Sequence, residues 1–124
     1  MSLLKPRELE RRAQKELEKK GYKVVRAMAS GRFINGKYIT HYNDFFNVFD
    51  LIAVKDNEVR FIQVTSGEQL SSHKSKVKAN FNFSFKNIVT IEIWYYYKLK
   101  GKWQYKILYL KDGEWLDSKL STPR

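Results

Sequence analysis

The sequence contains no cysteine, which excludes disulfide bonds, zinc–thiolate sites and thiol nucleophiles together. Long apolar runs are missing as well. Residues 1–10 hold no apolar stretch typical of a signal peptide, and no run approaches the roughly 18–20 residues of a membrane span. Repeats, low-complexity segments and linkers rich in Pro, Gly or Ser are also absent. We therefore expect a single soluble, cytoplasmic domain that spans residues 1–124.

Acidic residues are scarce beside basic ones, with 13 Asp and Glu against 24 Lys and Arg and a net charge of +11. Such an excess on a small domain repels itself and indicates a polyanionic partner, most often nucleic acid. A surface that merely keeps the protein in solution is the alternative. With 43% hydrophobic and 15% aromatic residues, the chain can form a packed core, which excludes wholesale disorder.

The hydrophobic pattern predicts an α/β protein with a central mixed β-sheet flanked by helices, in the order α-β-β-β-α-β-β. Good helix formers run over residues 7–20, with Leu9, Ala13 and Leu17 on one face and Gly21 as the stop. Residues 22–28 predict the first strand. The other predicted elements are a flap hairpin inserted at about 30–47, a hairpin of strands 48–55 and 59–66, a helix at about 69–80, and strands 88–99 and 102–110.

Polar residues interrupt the apolar 48–66 hairpin. If Asp56-Asn57 forms its turn, Asp50 lies opposite Gln63, and Thr65 shares their face of the sheet. A buried carboxylate needs a cation or hydrogen-bond donors, and a carboxylate beside an amide oxygen is a plausible Mg²⁺ site. The ordinary alternative is that Asp50 pairs with an Arg or Lys and Gln63 fills a core hydrogen bond. A one-residue slip in register would separate the three side chains.

These features resemble the PD-(D/E)xK nuclease superfamily, most closely the archaeal Holliday junction resolvases, over roughly residues 7–66. The helix Glu of that family, eleven residues before the Gly, corresponds to Glu10, and its hydroxyl-bearing turn corresponds to Ser30. Its motif Asp corresponds to Asp50. Its Glu-x-Lys, thirteen residues further on, corresponds to residues 63–65. The resemblance implies a restriction-endonuclease-like fold and an endonuclease that hydrolyses DNA, with branched or structured DNA as a candidate substrate and Mg²⁺ or Mn²⁺ as cofactor.

On this resemblance, Asp50, Gln63 and Glu10 would hold the metal. Glu8 is the register competitor of Glu10, and an ordinary surface pairing of Glu10 is the alternative. Thr65 stands where the family has its catalytic lysine. Some members supply that lysine from the following helix, so Lys74 is the replacement candidate and His73 its competitor. A phosphate-contacting, solvated helix face is the alternative for both.

Basic residues of the first helix, the flap and the helix after the hairpin form the predicted nucleic-acid surface, namely Arg7, Arg11, Arg32, Lys37, Lys76 and Lys78. The resemblance adds Ser30. The Trp and Tyr residues of 94–109 predict core packing and a dimer contact, because alternating aromatics on strands are more often core than base-stacking platforms. A homodimer is expected, since two symmetric cuts need two sites. Two other functions remain open, namely a non-catalytic DNA-binding module on a degenerate nuclease scaffold and an RNA-binding or RNA-processing domain.

Overall fold

The computed structural model describes residues 6–27, 29–42, 44–46, 48–81, 83 and 88–117, with side chains described at all of these except 6, 29–32 and 39–42. In chain order its elements are α1 (Pro6–Lys19), β1 (Lys23–Arg26), β2 (Ala29–Ile34), β3 (Lys37–Tyr42), β4 (Leu51–Lys55), β5 (Glu58–Ser66), α2 (Leu70–Asn80), β6 (Val89–Leu99), β7 (Lys102–Lys111) and β8 (Glu114–Asp117). Neither helix within these ranges has the length and apolar composition needed to cross a membrane. The predicted mixed α/β architecture is confirmed.

A six-stranded sheet organises the chain, in the spatial order β1-β4-β5-β6-β7-β8. The β5–β6 pair is parallel and is connected through α2, whereas the other four neighbouring pairs are antiparallel. Strand β8 was not predicted. It returns from β7 through Asp112 and Gly113, whose φ values of 52° and 79° form the left-handed turn that Asp-Gly favours in hairpins.

Strands β2 and β3 pair only with each other and form the predicted flap as a separate two-stranded sheet. Asn35 and Gly36 form its turn with φ values of 51° and 78°, as the Asn-Gly dipeptide predicts. The flap is inserted between the edge strand β1 and its sheet neighbour β4. It therefore leaves the central sheet and returns to it beside the start of β4.

Helix α1 covers one face of the central sheet. Its stripe of Leu9, Ala13 and Leu17 is buried against Ile62, Trp94 and other apolar residues on that face. Helix α2 covers the opposite face, where Val77 joins a second cluster that includes Phe49, Phe81 and Ile93. Successive side chains of a strand point to opposite faces, so Ile93 and Trp94 belong to different clusters. Both faces are covered, as the nearly continuous apolar strands predicted.

Most of the aromatic side chains of β6 and β7 belong to the core. Trp94 is fully buried and Tyr96 almost so, and Trp94 stacks on Tyr105 with ring centroids 5.0 Å apart. Core packing is therefore confirmed for these rings. Tyr95 and Tyr97 remain partly exposed and stack on each other at 5.8 Å. A dimer contact through these exposed rings stays a prediction.

An ion pair lies inside the face that α1 covers. Arg60 Nε and Nη2 donate to the two carboxylate oxygens of Glu92 at 2.7 and 2.8 Å. The Glu92 side chain is fully buried and also accepts hydrogen bonds from Thr90 and from the indole N–H of Trp94. Its two oxygens thus have several donors, which is the arrangement that makes a buried carboxylate tolerable.

Candidate active site

Asp50 and Gln63 lie opposite each other at the end of the β4–β5 hairpin. Lys55 pairs with Glu58 beside the turn, as predicted, and the same antiparallel register continues along both strands. Asp50 is the residue immediately before β4, and its backbone N–H donates to the carbonyl of Ile62 at 2.8 Å. The predicted juxtaposition of Asp50 and Gln63 is therefore confirmed.

Hydrogen bonds fix these two side chains against each other. The amide nitrogen of Gln63 donates to Asp50 Oδ2 and to the carbonyl of Val64, both at 3.0 Å, and the Val64 N–H donates to the same Oδ2 at 2.8 Å. Asp50 is only 6% exposed and Gln63 only 5%. No Arg or Lys side chain in the described part of the chain pairs with Asp50, which removes the ordinary ion-pair alternative there.

The segment before β4 is a tight loop rather than the predicted start of a strand at residue 48. Phe45 and Phe49 form an isolated antiparallel bridge, closed by hydrogen bonds of 2.8 and 2.9 Å between their backbones. Phe49 packs against Phe61 and Phe81 at centroid distances of 5.5 and 5.1 Å. The apolar run at 48–49 thus fills the core from a loop, which hydrophobicity alone does not distinguish from a strand.

That loop brings a further carboxylate to the site. In an antiparallel bridge the residue before one partner lies opposite the residue after the other, so the Phe45–Phe49 bridge sets Asp44 beside Asp50. The Asp44 carboxylate accordingly raises the pKa of Asp50, through its negative charge and by accepting a hydrogen bond from the protonated Asp50 carboxyl. No sequence motif distinguishes Asp44. The available signal was its place near the end of the predicted flap, six residues before Asp50.

Glu10 joins these groups from the first half of α1. It is only 6% exposed, and its Oε1 accepts a hydrogen bond from Arg7 at 3.0 Å and lies 3.8 Å from Arg26 Nη2. Burial raises the pKa of Glu10, while the charges of Arg7 and Arg26 oppose that increase. Glu10 therefore points inward and is not an ordinary surface residue. Its register competitor Glu8 instead pairs with Arg11 at the surface.

The electrostatics of the site centre on Asp50. Burial first, and then the neighbouring negative charges of Glu10 and Asp44, raise the pKa of its carboxyl to about 8, against the opposing effect of the Val64 N–H. A carboxyl of this kind holds a proton near neutral pH unless a cation replaces that proton. The site therefore has a negative potential that favours a cation.

The donors at this position fit Mg²⁺, although no three or more His, Asp or Glu side chains within the described residues are grouped to hold a metal by themselves. Mg²⁺ in proteins often takes one or two carboxylates and completes its shell with water and substrate phosphate. Asp50 offers a carboxylate. Gln63 uses its amide nitrogen in both of its hydrogen bonds, so Oε1 has no hydrogen-bond partner among the described residues and can serve as a ligand.

Thr65 contacts the helix that follows β5. Its Oγ1 lies 2.5 Å from Nδ1 of His73, on the first turns of α2. Thr65 is 4% exposed, whereas His73 is half-buried. Burial and the charge of Lys76 lower the pKa of His73, and the charge of Asp44 opposes that decrease. His73 is therefore mostly neutral at neutral pH and can accept a proton.

Lys74 lies beside His73 on α2, but it has no hydrogen-bond or ion-pair partner within the described part of the chain. Of the two candidates for the missing lysine, the structure brings His73 and not Lys74 into contact with Thr65. An offset of one residue turns a side chain by about 100° around a helix, so neighbours cannot share one contact. Helical periodicity could not decide between them, because both lie near the buried stripe.

The predicted nucleic-acid contacts have different surroundings. The Arg7 side chain is half-buried. It donates hydrogen bonds to the Glu10 carboxylate and, at 3.2 Å, to the carbonyl of Ala27. Lys37, Lys76 and Lys78 are exposed, and Arg11 is exposed beside Glu8. The side chains of Ser30 and Arg32 lie outside the described residues. The structure therefore leaves Lys37, Lys76, Lys78 and Arg11 accessible to a phosphate backbone.

No protein-family profile matches the chain, and no curated protein is similar enough in sequence to count as a match. Asp50 and Gln63 end one hairpin, Glu10 approaches from α1, Thr65 and His73 from β5 and α2, and Asp44 from the end of the flap segment.

Proposed function

We propose that this protein is a metal-dependent endonuclease that hydrolyses phosphodiester bonds in DNA, with branched or structured DNA as its substrate class. One observation carries the proposal. The buried Asp50 carboxyl lies against the Gln63 amide and within the field of Glu10 and Asp44, without a basic partner among the described residues. Uncompensated buried carboxyls with a strongly raised pKa occur mainly at functional sites.

Each residue of the site would have a separate role in binding the metal or in positioning its ligands. Asp50 and the Oε1 atom of Gln63 would bind Mg²⁺ or Mn²⁺ directly, with Glu10 contributing negative charge from α1. When bound, the ion polarises a phosphate oxygen and lowers the pKa of water. Arg7 and Arg26 hold the Glu10 carboxylate in place. The Val64 N–H orients Asp50, so the carboxylate needs no rearrangement to bind a cation.

Thr65 and His73 supply a route for the proton of the attacking water. The water transfers its proton to Thr65 Oγ1 as its oxygen bonds to phosphorus, while the Thr65 hydroxyl gives its own proton to His73 Nδ1. The bond from phosphorus to the leaving oxygen breaks, and that oxygen takes a proton from solvent. His73 then releases its proton to bulk water. This route uses a neutral imidazole in place of the lysine ammonium that the resembled nucleases carry.

The arrangement of strands supports a restriction-endonuclease-like core as part of this proposal. The first helix packs on strands β1, β4 and β5, and α2 connects the parallel strands β5 and β6. The candidate residues collect where β5 ends and β4 begins, beside both helices. We include a homodimer in the proposal, because paired cuts in a symmetric branched substrate require two sites.

A cleavage assay tests the proposed function. Labelled linear duplex, four-way junction and single-stranded DNA, with matched RNA, are incubated with the protein and Mg²⁺ or Mn²⁺. We expect cutting that requires the metal and disappears in Asp50→Ala. Asp56→Asn serves as the matched control, because Asp56 is an exposed carboxylate at the turn of the same hairpin. Cutting that persists unchanged in Asp50→Ala would remove this site from the reaction.

A non-catalytic DNA-binding module is the second candidate function. The observation that favours it is the loss of charge at two positions, with an amide at Gln63 and a hydroxyl at Thr65 where the resembled nucleases carry Glu and Lys. The net charge of +11 suits binding without chemistry equally well. Tight, salt-sensitive DNA binding without cutting under any metal condition would decide for this module. Preferential binding or cutting of RNA would decide for an RNA-directed function instead.

A further inference from the structure

The tip of the flap exposes a cluster of apolar side chains. Phe33 is 74% exposed, Tyr38 60% and Ile34 37%, on either side of the Asn35-Gly36 turn. Leaving large aromatic side chains in water forfeits the favourable free energy of burying them. Exposed large apolar side chains concentrated at the tip of a separate two-stranded sheet therefore point to a partner.

The two rings form a defined pair. Phe33 and Tyr38 are direct cross-strand partners, and their ring centroids lie 5.1 Å apart at an interplanar angle of 67°. This pair holds the tip in shape without contact to the core clusters of the central sheet. Each ring keeps most of its surface accessible for stacking.

The turn itself does not require exposed rings. The hairpin of β6 and β7 has the same left-handed turn, with φ values of 52° at Lys100 and 80° at Gly101. Its cross-strand pair at the equivalent positions is Lys98 and Trp103, with the lysine Nζ 5.4 Å from the indole centroid, and Trp103 packs on the core. The exposed aromatic pair is therefore particular to the flap.

The charge of the flap indicates the chemistry of its partner. Residues 29–42 contain no Asp or Glu, and they include Arg32, Lys37 and His41. The Lys37 side chain is exposed at the same tip, on the face of the ribbon opposite Tyr38, because successive side chains of a strand alternate. An exposed ring pair on a hairpin of positive charge suits a polyanion that presents flat apolar faces, which is the chemistry of nucleic-acid strands with unpaired bases.

The flap also continues into the candidate active site. Strand β3 ends at Tyr42, and Asp44 already lies beside Asp50 through the Phe45–Phe49 bridge. Phe46 and Phe49 fix this connection by packing on Phe81 at 4.9 and 5.1 Å. The flap is therefore joined by a short, packed connection to the site that would hold a DNA strand.

We propose that Phe33 and Tyr38 form a wedge that stacks on unpaired or unstacked bases of the strand held in the active site. The inference rests on the proposed function and deepens it, because it selects DNA with exposed bases, as at junctions and bulges, over continuous duplex. Apolar wedges of this kind insert where stacking is already weakened. Lys37, exposed on the opposite face of the same tip, adds positive charge that attracts the phosphate backbone.

Binding measurements without divalent metal test the wedge. The probes are a fluorescent bulged DNA carrying 2-aminopurine at the unpaired position and a fully paired duplex of the same length. Phe33→Ala combined with Tyr38→Ala is expected to weaken binding to the bulged DNA about 10- to 100-fold, in line with the loss of base stacking. Duplex affinity and the salt dependence of binding should stay unchanged, since the phosphate contacts remain.

Two further variants serve as controls. Phe33→Trp combined with Tyr38→Trp should retain both the affinity and the quenching of 2-aminopurine, since tryptophan also stacks on bases. Leu99→Ala should have no effect, because Leu99 is an exposed apolar residue, 56% accessible, beside the equivalent turn of β6 and β7. Circular dichroism confirms that each variant is folded.

Equal loss of affinity for bulged and duplex DNA, or no loss for either, would overturn the wedge. A change from dimer to monomer in the alanine variant, with unchanged DNA affinity, would assign the tip to a contact between two copies and also overturn it. The proposed function fails separately. If the protein binds bulged DNA through the wedge but never cuts it, the wedge stands and the endonuclease does not.

Discussion

Replacing Asp50 with asparagine should remove the pH dependence that this carboxyl imposes on stability. The folded protein holds the Asp50 proton up to about pH 8, whereas the unfolded chain releases it near the ordinary pKa of 3.8. Between these values the folded state binds more protons than the unfolded state, so the free energy of unfolding falls as pH rises. The asparagine side chain in Asp50→Asn keeps the shape and the acceptor for the Val64 N–H but cannot ionise.

The size of the effect follows from the width of that pH window. Each pH unit inside it removes about 1.36 kcal/mol of stability through this one group. Raising the pH from 5 to 7 should therefore lower the stability of the wild type by about 3 kcal/mol more than that of Asp50→Asn. In a domain of this length, such a difference corresponds to roughly 10 °C in Tm.

Urea unfolding of both proteins across that pH range provides the assay. The other titrating groups are shared, so the difference between the two stability curves reports Asp50 together with its coupling to Glu10 and Asp44. Mg²⁺ added at pH 8 should stabilise the wild type and leave Asp50→Asn unchanged, because the ion binds only the ionised carboxylate. Parallel stability curves for the two proteins would refute the view of Asp50 as an uncompensated buried carboxyl.

The remaining predictions concern the buried ion pair and the proton route. Glu92→Gln should destabilise the fold by about 3–5 kcal/mol in urea unfolding, because it leaves Arg60 buried without its counter-charge; a loss below about 1 kcal/mol would contradict this. His73→Ala should lower the cleavage rate about 10²- to 10⁴-fold without weakening DNA binding, while Lys74→Ala leaves the rate nearly unchanged. At saturating metal, where the ionisation of Asp50 no longer limits the rate, the wild-type rate should rise with pH through a His73 pKa below its usual 6.5, since only the neutral imidazole accepts the proton. Thr65→Val should remove that dependence. A stronger effect of the Lys74 change than of the His73 change would contradict the assignment.

Local signals in the sequence were sufficient for the hairpin that carries the site. The apolar strands around Asp56-Asn57 determined the register, and the register alone set Asp50 opposite Gln63. The apolar spacing of α1 likewise predicted its buried face, because a four-residue repeat of Leu and Ala leaves few alternatives.

The parts that sequence could not predict depend on tertiary contacts. Asp44 reaches the site because a Phe45–Phe49 bridge closes a loop over the aromatic cluster, and no periodic pattern encodes such a bridge. The choice of His73 over Lys74 depends on how α2 rotates on the sheet. Strand β8, by contrast, could have been predicted, because Asp112-Gly113 before it is a typical hairpin-turn sequence.

Direct measurement of metal binding tests the central claim that the Asp50 patch is a divalent-cation site for phosphodiester cleavage. Mn²⁺ is titrated into the protein and followed by electron paramagnetic resonance, which separates free from bound ion. We predict one Mn²⁺ per chain in the wild type and in Asp56→Asn, competed by Mg²⁺, with tighter binding as pH rises towards 8, and loss of that site in Asp50→Asn. Equal binding by the wild type and Asp50→Asn, or no binding by either, would contradict the claim.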